Sequence, residues 1–184
     1  DETSGPLAGV PRLNGDFTLA ALEAALASKP SVLHIASHFD MRPGQDAANS
    51  YLLLGDKSPL TLKELNTSPK LSFDGVDLLV LSACSTASAT DGSGLEVEGL
   101  GAIAQYRGAE AVLATLWNVA DASTAEFMTD FYSALAEPGE TRASALQTAQ
   151  LSLIDRDGTR ADAGMKDYSD PYHWAPYILM GNIR

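Results

Sequence analysis

The sequence is poor in cysteine, histidine and cationic residues, and it has no long apolar run. Among its 184 residues there are one cysteine and three histidines. One cysteine cannot form a disulfide within the chain, which favours a reducing compartment, and we expect the cytoplasm. The longest apolar stretches, such as AVLATLW, are far shorter than the roughly 20 residues that span a bilayer. The composition therefore predicts neither a disulfide-stabilised protein nor a membrane protein.

The charge balance argues against nucleic acid as a partner. Lys and Arg number 12 against 24 Asp and Glu, so the net charge is −12. A chain this acidic, without a basic stripe, would be repelled by a polyanion. A basic segment of another protein would be attracted instead. The apolar content of 45% is ordinary for a globular domain.

Short buried strands alternate with amphipathic helices along the chain. The apolar runs SVLHIAS, VDLLVLSA, EAVLATLWN and APYILMGN predict strands, and YLLLGD predicts a hairpin strand. Such alternation is typical of an α/β fold with a mostly parallel sheet. Residues 1–15 are rich in Gly and Pro and predict a tail or linker, in which VPRLN could form an edge strand. Residues 16–184 predict one domain.

Several local signals mark where the helices begin and end. Thr18 precedes TLAALEAALAS as an N-cap, and Thr61 with Glu64 has the spacing of a capping box. Ser123 with Glu126 has the same spacing, which predicts that the helix begins there. Gly108 is expected to end the helix LGAIAQYRG as a C-terminal cap.

His38 and Cys84 each follow a predicted buried strand. The functional crevice of an open α/β sheet lies at the carboxyl ends of its strands, so we expect the two residues to lie near each other. A thiol is mostly protonated at neutral pH, and an adjacent imidazole would activate it as a nucleophile. On spacing alone, a structural buried cysteine remains the more frequent interpretation.

Four segments, in order, resemble the CHAT family of caspase-like cysteine proteases, which are relatives of separase. They are LHIASHF, LLVLSAC, GLGAIAQYRGAEAVLATLWNVADASTAEFMTDFYSAL and YHWAPYILMGN. The resemblance implies a caspase-like α/β/α sandwich, a catalytic dyad of His38 and Cys84, and no cofactor. Relatives are often fused to tetratricopeptide repeats, so an upstream regulatory chain or repeat domain could control the activity. About 15 residues precede Thr18, too few for the first strand–helix unit of the family, which predicts an incomplete sheet edge.

The resemblance also implies roles for residues around the dyad. The backbone N–H groups of Phe39 and Cys84 are the expected oxyanion donors. Most relatives have Gly where this chain has Phe39, and we expect the ring to narrow the cleft or restrict the loop. Many relatives have an acidic residue where Ser85 stands.

The segment LWNVAD corresponds to a substrate-binding loop in the family. Asp121 is the candidate acid that receives a basic side chain before the cleaved bond, with Trp117 and Asn118 as further contacts. An equally good interpretation is structural, because Asp is a common N-cap and a predicted helix follows Asp121.

The other histidines and the Gly-rich loop are weaker candidates. His34 is expected to be a hydrogen-bonded core residue, and His173 to lie on the surface or near the last strand. No metal site is expected, because the histidines lack ligand spacing. The loop from Ser88 to Gly94 lacks the ending of a phosphate-binding loop and predicts a mobile loop beside the cleft.

Two functions remain open at this point. The first is a cysteine endopeptidase acting on a protein or peptide substrate, under the control of an upstream sensor region or a partner. The alternative is an inactive protease-like domain used for binding or as a scaffold. The presence of both dyad residues favours the enzyme, and no Gly-x-Ser-x-Gly motif supports a serine hydrolase.

Overall fold

The computed structural model describes residues 6–40, 48–85, 95–155 and 166–184. After a turn of 3-10 helix at Asn14–Asp16, strands and helices alternate as the sequence predicts. The strands are β1 (Val32–Asp40), β2 (Tyr51–Leu53), β3 (Pro59–Thr61), β4 (Leu78–Ser85), β5 (Ala111–Thr115) and β6 (Tyr177–Gly181). The helices are α1 (Leu19–Ala27), α2 (Leu62–Thr67), α3 (Leu95–Tyr106), α4 (Asp121–Leu135), α5 (Arg142–Ile154) and α6 (Pro171–Trp174).

The six strands form one central sheet in the order β3-β2-β1-β4-β5-β6. β1, β4 and β5 are parallel neighbours, and the hairpin β2–β3 joins the edge of β1 in antiparallel pairing. This mixed α/β architecture with a mostly parallel sheet confirms the predicted fold class. Among the described residues no strand precedes α1, and none of the helices there is long and apolar enough to cross a bilayer.

The chain groups into two compact units. One consists of Arg12–Asn118 with Met180–Asn182, and the other of Asp1–Pro11, Val119–Leu179 and Ile183–Arg184. In the first unit, apolar residues of α1, α2 and α3 form a single core with one face of β1, β4 and β5. Its members include Leu22, Leu26, Ile35, Phe39, Leu65, Leu79, Leu81, Leu100, Ala104 and Val112.

The helix caps of the first unit follow the sequence signals. Thr18 caps α1 by accepting a hydrogen bond from Ala21 N at 3.2 Å. Thr61 and Glu64 form a full capping box at the start of α2, in which each side chain accepts from the other's backbone N–H. Gly108 follows α3 at φ +112°, and a Cβ there would lie 2.7 Å from Asp74 N, so only glycine fits.

In the second unit, α4 packs against α5, and α6 contacts both helices. Phe127 and Phe131 of α4 and Ala149 and Leu153 of α5 are fully buried, as their helical spacing predicts. Phe127 stacks on Tyr177 with ring centroids 3.5 Å apart.

Two local predictions are wrong. The helix α4 begins at Asp121, not after Ser123, and its N-cap is Ala120 without a side-chain cap. Ser123 lies inside the first turn, where its hydroxyl donates to Ala120 O, so it does not form a capping box with Glu126. The segment VPRLN is not a strand, because residues 10–13 have no regular structure; Pro11 also removes a ladder donor there.

Candidate active site

The ends of β1 and β4 bring His38 and Cys84 side by side. The backbone register of these parallel strands pairs His38 directly with Cys84. Residues paired in this way are about 4.8 Å apart at Cα and lie on the same face of the sheet. Both positions fall within the last three residues of their strands, at the carboxyl edge of the sheet. His38 is exposed there, so the imidazole is open to solvent.

The neighbouring strand β5 stops short of this edge. Its pairing with β4 runs from Leu78 to Leu81, whereas the pairing of β1 with β4 continues to Ser85. The last residues of β4 therefore extend past their partner in β5 and have β1 as their paired strand. A crevice at the carboxyl end of an open sheet is where α/β proteins place their functional residues.

The ring of Phe39 does not enter the cleft, and the expectation that it narrows the cleft is wrong. β1 continues to Asp40, so Phe39 is still a strand residue and points to the face opposite His38. Its side chain is 3% exposed and packs in the core with Ile35 and Leu52. The backbone of Phe39 is paired on both sides, with Ser85 of β4 and with Leu52 of β2.

His34 lies on the same face of β1 as His38, four residues earlier in the strand. Its Nε2 lies 2.9 Å from Ser82 Oγ, across from β1 to β4. Desolvation by the surrounding protein atoms lowers the pKa of His34 to about 4, although part of the residue is accessible to solvent, so the imidazole is neutral at physiological pH. The hydrogen bond to Ser82 agrees with the prediction for His34, but the core placement is wrong, because His34 is exposed on β1.

Trp117 and Asn118 lie two and three residues after the end of β5, and both are exposed, with 39% of the Trp117 surface accessible. They belong to the same compact unit as His38 and Cys84. An exposed indole offers a large apolar ring and one N–H donor, a combination that is frequent at binding interfaces.

Asp121 is the first residue of α4, in the other unit, and its side chain is exposed. The N-cap interpretation is wrong, because the cap position belongs to Ala120. A carboxylate in the first turn still interacts favourably with the helix dipole, by about 0.3–1 kcal/mol. Its exposure leaves the carboxylate accessible to a cationic ligand.

His173 lies in α6 and makes a contact that the sequence did not indicate. Its Nδ1 is 3.0 Å from Oγ of the buried Ser123. The single hydroxyl proton of Ser123 is donated to Ala120 O, so the hydroxyl oxygen accepts from Nδ1–H of His173. The ring also contacts Tyr168 and Tyr172, with centroids 4.9 and 5.2 Å away. This hydrogen bond ties α6 to the start of α4.

Sequence reasoning missed the polar partners Ser82 and Ser123. Ser82 could have been found, because it stands two residues before Cys84 and strand alternation places both on one face. The Ser88–Gly94 loop lies outside the described residues. Within the described ranges, no three His, Cys, Asp or Glu side chains form a group that could hold a metal ion.

Comparison with known families gives one result that covers nearly the whole molecule. The family model of the CHAT domain matches residues 4–182. A search of curated proteins found no match. The matched range includes β1 with His38 and β4 with Cys84, the two strands that the register joins. CHAT domains are a caspase-like, protease-related family. The chain belongs to the CHAT domain family.

Proposed function

We propose that this CHAT domain is a cysteine endopeptidase in which His38 and Cys84 form the catalytic dyad. The observation that carries the proposal is the register of β1 and β4, which pairs these two residues at the carboxyl edge of the sheet. Cys84 is the only cysteine of the chain, so no other thiol can serve as the nucleophile. Of the three histidines, His38 is the one that the register pairs with it.

The proposed reaction is acyl transfer. His38 accepts the thiol proton of Cys84, and the thiolate attacks the carbonyl carbon of a peptide bond while the carbonyl electron pair moves to oxygen. His38 then donates the proton to the departing amine as the C–N bond breaks, which leaves an acyl-enzyme. A water molecule, deprotonated by His38, attacks this thioester, releases the carboxylic acid and restores the thiol.

The oxyanion formed in each step needs prearranged donors, and we assign them to the backbone N–H groups of Cys84 and Phe39. Cys84 is paired with His38 of β1, but none of the described residues of β5 is paired with it, because the pairing of β4 with β5 ends at Leu81. Phe39 has paired strands on both sides. The backbone of Cys84 is therefore the stronger of the two assignments.

We also assign substrate contacts to the segment after β5. The exposed Asp121 carboxylate would receive a basic side chain, and the net charge of −12 would attract such a substrate. The exposed Trp117 and Asn118 belong to the same unit as the proposed dyad and would also contact the substrate. Control by an upstream region or a partner, and a reducing location such as the cytoplasm, complete the proposal.

The decisive experiment is a peptide-library cleavage assay with dyad and control variants. We expect Cys84→Ala and His38→Gln to lose at least about a thousandfold in kcat/KM, since the dyad residues act as a unit. His34→Gln is the matched control on the same face of β1. Its amide can keep the hydrogen bond to Ser82, so its activity should stay within about twofold of wild type. Equal turnover by wild type and Cys84→Ala would end the protease proposal and leave the binding or scaffold alternative.

The assignment of Asp121 is tested by selectivity in the same assay. We expect a preference for Arg or Lys before the cleaved bond, reduced about tenfold or more in Asp121→Asn. Glu137→Gln removes the same charge from an exposed residue beyond the other end of α4 and should keep the preference. Unchanged selectivity in Asp121→Asn would return this residue to a purely helical role.

A further inference from the structure

The sheet face that carries His38 is open along β1. Alternate strand residues share a face, so His34, Ala36 and His38 lie together, and all three are exposed. In β4 the residue paired with His34 is Val80, which is fully buried. At this register pair the face is therefore buried at β4 and exposed at β1.

The same face continues across the hairpin β2–β3. Asp40 shares the face of His38 and is paired with Tyr51 of β2, which is in turn paired with Thr61 of β3. Two positions along, Leu53 is paired with Pro59. The intervening residues of both strands are buried in the core on the opposite face, namely Leu52 and Leu60.

A groove of about 370 Å³ lies on this face of the hairpin. Its size is at the lower end of the roughly 300–1,000 Å³ of ligand pockets. Its walls are formed by Asn49, Tyr51, Leu53, Lys57, Pro59 and Thr61. Tyr51 and Leu53 are half-buried, so the floor is aromatic and aliphatic. Lys57 is exposed at one end and has no ion-pair partner among the described residues.

The groove lies within reach of a substrate bound at the dyad. Asp40 is two residues beyond His38 along β1, and neighbouring strands of a sheet are about 4.8 Å apart. Tyr51 and Thr61 are therefore roughly 8–12 Å from His38. An extended peptide rises about 3.4 Å per residue, so a side chain two to four residues from the cleaved bond would arrive there.

We propose that this groove is a substrate subsite that binds an apolar side chain two to four residues from the cleaved bond, next to an acidic residue that pairs with Lys57. The inference rests on the proposed protease function and adds the chemistry of a second recognition point. The apolar floor selects Leu, Ile, Phe or Met by burial. Among the described residues of the groove lining, Lys57 is the one charged residue, so it selects an acidic group there.

The test is a position-scanning library of eight-residue peptides, with turnover measured for wild type and three variants. For wild type we expect about tenfold faster cleavage with Leu or Phe than with Ser at one position in this range, and a preference for Asp or Glu beside it. Leu53→Ser should remove the apolar preference, and Lys57→Glu should reverse the acidic one. Lys63→Glu makes the same charge change on an exposed residue of α2 outside the groove and should keep both preferences.

Each outcome decides the matter. If Leu53→Ser and Lys57→Glu cleave peptides with both preferences unchanged, the subsite proposal is wrong, and the protease proposal is not affected. If wild type cleaves nothing, the protease proposal fails, and fluorescence anisotropy with fluorescein-labelled peptides containing Leu-Asp or Ser-Ser decides the groove. Tighter binding of the Leu-Asp peptide by wild type but not by Lys57→Glu supports the groove, and equal binding overturns it. A change of sedimentation coefficient in Leu53→Ser, without a change of preference, would assign the groove to a second copy of this chain and overturn the proposal.

Discussion

Strands β1 and β4 lie side by side, paired from Val32–Leu78 to Phe39–Ser85, yet their surroundings differ. Residues Leu78 to Leu81 of β4 are at most 2% exposed, so this strand is buried on both faces. β1 is buried only through Ile35 and Phe39 on one face, while three residues of its other face are exposed. One ladder thus joins a fully enclosed strand to a half-open one.

This difference separates two requirements of a dyad. A nucleophile needs a fixed position, and the proposed nucleophile, Cys84, follows residues of β4 that are at most 2% exposed. A base needs access to solvent and substrate, and the proposed base, His38, lies on the exposed face of β1. A packed strand gives positional accuracy, and an open strand gives room for a ligand.

The largest expected effect compares the two faces of β1. Phe39→Ala removes a core side chain that is 3% exposed and should destabilise the protein by about 3–5 kcal/mol. His38→Gln, at the adjacent exposed position, should stay within about 0.5 kcal/mol of wild type. Urea denaturation of the three proteins measures both values. A similar loss in both variants would show that the faces of β1 are not different.

The next effect compares the strands at a single register pair. Leu33 of β1 and Leu79 of β4 are direct partners, but Leu33 is half-buried and Leu79 is fully buried. We expect about 2–5 kcal/mol of destabilisation for Leu79→Ala and about 1–2 kcal/mol for Leu33→Ala. Denaturation midpoints at equal m-values provide the measurement. Equal losses would remove the contrast between an enclosed and a half-open strand.

The smallest effect concerns the hydrogen bond between His34 and Ser82. Desolvation lowers the pKa of His34 from 6.5 in the unfolded chain to about 4 in the folded protein. Between these two pH values the imidazole of the unfolded chain binds a proton and that of the folded protein does not. The contribution of the neutral His34 to the free energy of unfolding should therefore be fully present above pH 6.5 and decrease as the pH falls towards 4. Part of His34 is exposed, so we expect a contribution of about 1 kcal/mol or less.

His34→Gln isolates this contribution from the titration of carboxylates. The glutamine can keep the contact with Ser82 but has no proton to gain, so its stability should fall less than that of wild type between pH 7 and 4. An NMR titration that finds the His34 ring charged at pH 6 in the folded protein would contradict the expectation.

Local sequence signals predicted the elements that local forces determine. The capping box of Thr61 and Glu64 and the N-cap Thr18 formed as predicted, because each depends on residues three apart in sequence. The placement of His38 beside Cys84 also followed from sequence, since parallel strands bring their carboxyl ends to the same edge. The family resemblance added the roles of the residues, not their geometry.

The predictions for Phe39 and Ser123 were wrong because β1 and α4 are longer than the sequence pattern indicated. Once β1 is known to reach Asp40, alternation alone turns Phe39 away from His38. Likewise, α4 begins two residues before Ser123, and its first turn uses a backbone cap position that carries no polar side chain. The open face of β1 could not be predicted, because an apolar, β-rich run does not show which elements cover it.

The capping box at the start of α2 has a consequence for the groove beside it. The backbone N–H and the hydroxyl of Thr61 both donate to Glu64 Oε2, at 2.9 and 2.7 Å, and the Thr61 hydroxyl accepts from Glu64 N. These hydrogen bonds lower the pKa of Glu64, so the carboxylate stays ionised and the capping box is retained at mildly acidic pH. The hydroxyl proton of Thr61 is already engaged with Glu64, so this residue has no side-chain donor left for a ligand and offers its methyl group as apolar surface. One wall of the groove is therefore preorganised: its rotamer entropy was lost on folding and need not be lost again on binding.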